Sequence, residues 1–458
     1  MRSTSAPDAP TGLAAAFAAR LAALARAPLP PAIAHEAERA LLNALGLAIG
    51  ASRHAGVDAI LAAAEALGAN GEVAIPGRDE RTDAHFAALA AGFAAHVDDF
   101  DDTHLFTVIH PGAACMAVLI ALGRETVPDG DRGLRAFAVG CEAQLRAGVS
   151  ISPEHYDRGW HITGTCGVIG AAVTAALLLG FDDPALARAV RLSATMPLGH
   201  RDAFGTMTKA FHPGKAAANG LLAARLAAQG LDAPLDVMEN ERGFAAALST
   251  RFDPQQMVGS PDARWELAEN TYKPYPCGIV AHPSIDAALQ LGARVQLGEI
   301  VALRAHCNPL VVDLMGNLDP ADGLEARFSA IHGIAAALCD GRAGLAQYED
   351  ERVRRDDVRA VRTRTQLVPD GNIARDAARL EAQLRDGTTI EERVEHARGS
   401  TARPLTDEEL VAKMCALVEP VLGAESAAQL REDVFGLDSA ANCAPLLAAI
   451  VPGVGANV

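Results

Sequence analysis

The 458 residues are 50% hydrophobic and 21% charged, with a formal net charge of −17. This balance excludes a disordered chain, and the length is too great for one compact core. The acidic excess argues against nucleic acid or an anionic membrane surface as partner, while leaving room for a basic pocket that holds a small anion.

Residues 1–12, rich in Ser, Pro and Ala, read as a flexible tail. They lack the basic, apolar and cleavage regions of a secretory signal, so a cytoplasmic location is expected. From there to residue 268, alanine- and leucine-rich stretches predict helices at 31–52, 83–96, 111–124, 163–180 and 213–230. The longest apolar run, GVIGAAVTAALLLGF at 167–181, is too short for a membrane span and reads as a buried core helix. After Glu269 the texture changes. Alternation predicts strands at 300–307, 358–366 and 389–397, with helices at 326–339 and 374–384. Helical pattern returns near Leu405, where Thr406 and Glu409 have capping-box spacing. The chain is therefore expected to be mainly α with an α/β portion. A helical domain of residues 1–268 would be completed by 405–458, and 269–404 would form a smaller inserted lid. Eight cysteines without a CxxC pair argue against a structural zinc or local iron–sulfur site.

Residues 96–112, HVDDFDDTHLFTVIHPG, hold four aspartates and three histidines. The aspartates follow the carboxyl end of a predicted helix, where the dipole disfavours negative charge, and such departures often mark functional sites. A solvated loop and a metal site are the rival readings, although no HExxH pattern or calcium loop is present. His-Pro occurs three times, at 110–111, 212–213 and 282–283, where chance gives about 0.8 for this composition. Each pair is expected at a helix entrance, where free N–H groups favour an anion, and His161 nearly repeats the arrangement. Lys209 and Lys273 interrupt uncharged stretches beside two of these entrances and are candidates for gripping carboxylates or moving protons. Residue by residue, four unrelated helix entries and two surface lysines remain open as alternatives.

Taken together, DFDDTHLFTVIHPGAA, YDRGWHITGTCGVIGAAVTAALLLG, GTMTKAFHPGKAAANGLLAARLAAQG, YKPYPCGIVAHPSIDAA and EARFSAIHGIAAALCDG resemble the MmgE/PrpD family. The likeness runs in order over roughly residues 85–340, and five ordered matches are far more specific than one motif. It implies a helical domain built from both chain ends, a smaller α/β lid, a homodimer, and a site between the domains. It also implies proton transfer beside a carboxylate in a small di- or tricarboxylate, with no metal or organic cofactor. Matching motif positions carry over Asp99, Thr103, His110, His161, Lys209 and Lys273. His110 and His161 are expected as acid/base residues. Lys209 and Lys273 are expected to hold carboxylates and stabilise the enolate, with Asp99 orienting and tuning them. Thr103, His104, Tyr156, His212, His282 and His332 are expected substrate contacts. His332 stands where the family's decarboxylases carry tyrosine. The reading favours a lyase of the 2-methylcitrate dehydratase kind. Alternatives are an iminodisuccinate-type epimerase, a cis-aconitate-type decarboxylase, and a metal-dependent hydrolase using the Asp/His cluster.

Overall fold

The computed structural model describes residues 12–260 and 264–453, so the tail read at 1–12 lies, except for Gly12, outside the described residues. The chain is mainly helical with a small mixed sheet. The helices that frame the first core are α1 (Pro31–Gly50), α2 (Ala84–Val97), α3 (Pro111–Thr126), α4 (Gly130–Ile151), α5 (Ile162–Leu178) and α6 (Met207–Ala228). From Ala87 to the end of α2, and from Ile162 to Ala176 in α5, every residue is buried. Helices apolar on all sides belong inside a core. Among the described residues no single helix is long and apolar enough to cross a membrane.

Small residues let α6 lie directly on α2. A Cβ on Gly214 would sit 2.4 Å from the Leu89 carbonyl oxygen, and one on Gly92 would sit 2.8 Å from the Gly214 Cα. Gly214→Val should therefore force the helices apart and cost roughly 1–3 kcal/mol. Chemical denaturation checks this, and unchanged stability would contradict the close approach.

Two short strands, β1 (Asp102–His104) and β2 (Asn270–Tyr272), pair antiparallel and mark the passage out of this helical layer. Beyond them a second core collects buried side chains between Tyr275 and Val394. It contains α7 (His282–Gly292), β3 (Ile300–Cys307), α8 (Pro309–Met315), α9 (Ala330–Asp340), α10 (Asp356–Thr363), β4 (Thr365–Pro369), β5 (Ala378–Leu384) and β6 (Thr389–Val394). The sheet order is β4-β3-β5-β6, with β3–β4 parallel and the other pairs antiparallel. The chain then returns to the first core through α11 (Asp407–Leu422), capped by Thr406 and Glu409, which packs on α1.

Three sequence expectations are corrected here. The strand expected at 358–366 is mostly α10. Val358 and Val361, three residues apart, fit a helix rather than a strand, and they are buried with Arg362 as one helical face, behind Asp356 and Asp357 in the first turn. The helix expected at 374–384 is strand β5. Its Ala, Leu and Glu favour a helix, yet Ala378, Leu380 and Ala382 are buried in alternation between two neighbouring strands. The third concerns His212-Pro213, which lies inside α6 rather than at its entrance. The helix starts six residues earlier, capped by Thr206, and the missing proline N–H leaves the Lys209 carbonyl free of its usual partner.

Candidate active site

Between α2 and α3 the chain makes a tight buried loop. Asp99 (φ 48°) and Val108 (φ 58°) adopt left-handed backbone conformations. Aspartate tolerates that region, but a β-branched valine there is strained, and such strain persists only where packing holds it. Pairing of Asp102 with Tyr272 and Thr103 with Thr271 sets the register that brings Lys273 alongside this loop. The next helices supply the rest. His110 and His161 each stand immediately before a helix, α3 and α5, and the His110 N–H donates to Thr163 Oγ1 at 3.1 Å.

Asp99 is the electrostatic hub. Its Oδ1 accepts from Lys209 Nζ at 2.6 Å and Lys273 Nζ at 2.7 Å, and its carbonyl accepts from Lys273 at 3.1 Å. Burial pushes the Asp99 carboxyl up, but the two ammonium groups outweigh it and hold the group well below the carboxylate range. Burial lowers Lys209 despite Asp99. Lys273 faces the same penalty, yet Asp99 and a second carboxylate, Asp101 at 3.5 Å, raise it. Both lysines feel Asp99 and Asp101, but only Lys273 has both carboxylates in contact, and Lys273 itself pushes Lys209 down.

Asp101 also fixes two imidazoles. His96 Nδ1 donates to its Oδ2 at 2.5 Å, and His110 Nδ1 lies 3.2 Å from its Oδ1. The nearest acceptor of His110 Nδ1 is the Asp102 carbonyl oxygen at 2.7 Å. A carbonyl can only accept, so Nδ1 carries the proton and Nε2 presents a bare lone pair. Burial holds His110 below its ordinary value, partly countered by Asp101, so it is neutral at neutral pH. His161 shares one proton with His212 across a 2.9 Å Nδ1–Nδ1 contact. Burial and the surrounding imidazoles and Lys209 keep His161 well below the usual histidine range, and burial pushes His212 down to about 4.

These groups face one common cavity. Asp99, Thr103, His110, Tyr156, His161, Lys209 and Lys273 all line it. The other expected contacts do not. His212 stands behind His161; His104 is held by Thr107 Oγ1 at 2.9 Å. His282 donates to the Cys277 carbonyl at 3.2 Å. His332 donates to the Gln347 carbonyl at 2.9 Å and packs on Tyr348, away from the cavity. Asp98, Asp101 and Asp102 are not among the expected site residues. Asp101 nevertheless connects His96, His110 and Lys273, while Asp102 accepts from the Gly112 N–H and Asn270.

Three contributors were missed: His96, Asp101 and Lys413. The Lys413 ammonium, in α11, donates to the Phe100 carbonyl at 2.5 Å and the Lys273 carbonyl at 3.0 Å, and burial lowers it to about 7. Nothing local in the sequence marks Lys413, because its partners are 140 and 313 residues away.

One nitrogen each from His96, His110 and His161 lie within 4.8 Å of one another, as do ligand atoms of Asp99, Asp101 and His110. The first group has ligands suited to a borderline transition ion. In the second, two ammonium groups already supply the positive charge that a metal would bring.

The chain is similar to known proteins across the segments that build this site. The "MmgE/PrpD N-terminal domain" matches residues 15–257 and the "MmgE/PrpD C-terminal domain" matches 275–435. Cis-aconitate decarboxylase of Homo sapiens is 27% identical over 389 residues, covering 80% of this chain and 79% of that protein. The Mus musculus protein of that name is 29% identical, covering 80% and 78%. That of Aspergillus terreus is 24% identical, covering 77% and 78%. The two matched domains take in most of both cores and every cavity-lining residue except Lys273, and on that extent the chain belongs to the MmgE/PrpD family.

Proposed function

We propose that this enzyme is a lyase that removes a proton from the carbon beside a carboxylate in a small di- or tricarboxylic acid and expels a hydroxyl from the neighbouring carbon. The observation that carries the reading is a neutral imidazole with a bare Nε2, His110, facing the same cavity as two buried ammonium groups. A proton next to a carboxylate is weakly acidic. Its removal needs a base that is unprotonated at the working pH and fixed positive charge for the enolate that forms. His110 takes the proton, and Lys209 and Lys273 stabilise the charge delocalised onto the carboxylate. His161, in the Nε2–H tautomer with Nδ1 accepting from His212, donates to the departing hydroxyl as water leaves; a neutral imidazole can serve as such a donor. Thr103 and Tyr156 orient the substrate. No step calls on a metal or organic cofactor.

Decarboxylation is the second reading, favoured by the similarity to cis-aconitate decarboxylases. It shares the ammonium-stabilised carbanion but breaks a C–C bond to release carbon dioxide. Proton NMR in deuterium oxide separates the branches. Exchange beside a carboxylate with an alkene and water formed supports dehydration, and carbon dioxide release supports decarboxylation. Activity should survive exhaustive chelation. Activity lost on chelation and restored by one divalent ion would replace this scheme with a metal-assisted one.

A further inference from the structure

The cavity has two chemically different sides. Every ionisable lining group belongs to the residues up to Lys273, whereas the part of the chain that builds the second core contributes Gly278, Ile279, Val280, Leu314, Met315 and Phe328. No cavity-lining residue after Lys273 offers a charged or hydrogen-bonding side chain. A Cβ on Gly278 would lie 2.3 Å from Met315 Sδ, so the thioether fills the space into which a side chain at 278 would project. The nearby guanidinium groups are engaged elsewhere. Arg327 binds Asp98 Oδ1 at 2.9 Å and Arg201 binds Asp313 at 2.6 Å, and neither lines the cavity.

The charge balance is equally one-sided. Lys209 and Lys273 are matched by Asp99 and Asp101, and the histidines are neutral. The remaining attraction for anions comes from ammonium hydrogens and from the amino ends of α3 and α5, each worth about half a charge. That suffices for carboxylates on the polar side. A further carboxylate against Ile279, Val280 and Met315 would lose its hydration without gaining a partner, a heavy cost for an ion.

We infer that the substrate carries an uncharged alkyl group at the end facing the lid and no more than two carboxylates, both held on the Lys209/Lys273 side. This rests on the proton-abstraction reading above and narrows it to branched mono- or dicarboxylates in place of tricarboxylates.

The test uses the purified full chain with methyl- and ethyl-branched dicarboxylates, with and without a hydroxyl, against citrate and cis-aconitate. Proton exchange and product formation give kcat/KM, and thermal shift gives binding. The branched dicarboxylates should be favoured at least tenfold in both. Ile279→Lys and Leu314→Arg, at half-buried positions of the lid wall, should each move the ratio toward the tricarboxylates by at least tenfold. Two substitutions are used so that one failing to fold leaves the other to decide. A wild-type enzyme that turns over a tricarboxylate as well as or better than any branched dicarboxylate, with or without carbon dioxide release, overturns the inference and leaves the proton-abstraction reading intact. Unchanged ratios in folded variants also overturn it. Conversely, preferential binding of branched dicarboxylates without exchange or turnover supports the pocket assignment while sinking the reaction.

Discussion

Asp99→Asn should cost about 3–5 kcal/mol of stability and lower kcat/KM by about 10²- to 10³-fold. Asparagine keeps the volume and tolerates the left-handed backbone at this position, so the effect isolates the charge. In the wild type one carboxylate oxygen receives both Lys209 and Lys273. Without it Lys209 has no anion in contact, and two buried ammonium groups share Asp101 at 3.5 Å from only one of them. The pH dependence provides the sign. Asp99 is held well below the ordinary carboxylate range in the folded state, so its contribution is complete above the unfolded value of about 3.9 and disappears as pH falls through the folded value. The stability gap between wild type and variant should therefore be widest near neutrality and narrow below about pH 4. Adding Lys209→Met to Asp99→Asn should recover part of the stability and none of the turnover. A variant as stable and active as wild type would remove Asp99 from the centre of the site.

The parts legible in the sequence were those written locally. His110 before Pro111 and His161 before the Thr163–Thr165 segment do stand at helix amino ends, because free N–H groups and a proline at the first helical position are short-range features. The same rule failed for His212, since an upstream cap at Thr206 started the helix earlier than the proline suggested. β5 was misread for the opposite reason: central placement in a sheet overrode the helical preference of ARLEAQL. Within the aspartate-rich loop, composition showed that something costly was being held, but could not rank the members. Asp99 and Asp101 face a shared cluster whose other members arrive from α6, the end of β2 and α3. Asp101 is not legible locally because its role depends on the β1–β2 register, and Lys413 is not because α11 returns from the far end of the chain. His332 shows the limit of alignment alone: it occupies a family signature yet hydrogen-bonds to the Gln347 carbonyl, away from the cavity.

His110→Gln should lower kcat by about 10²- to 10⁴-fold, the usual contribution of a positioned base, with KM changed only a few-fold. Glutamine can preserve a donor toward the Asp102 carbonyl but offers no basic nitrogen, and the backbone tie to Thr163 is untouched, so the fold should be retained. The wild-type pH profile identifies the base. Burial lowers His110 and Asp101 only partly restores it, so kcat/KM should stay level through neutral pH and fall on the acid side below the ordinary histidine value of about 6.5. On the alkaline side, activity requires the Lys209 ammonium. Its lowered value should bring the decline in before a free lysine would titrate, near 10.4. In His110→Gln the residual activity should lose its acid limb and keep the alkaline one. His161→Gln should also be slow but keep an acid limb, because the base is intact while the proton donor is gone. If instead His161→Gln erases the acid limb and His110→Gln retains it, the two imidazoles exchange roles: proton abstraction would then begin at the entrance to α5.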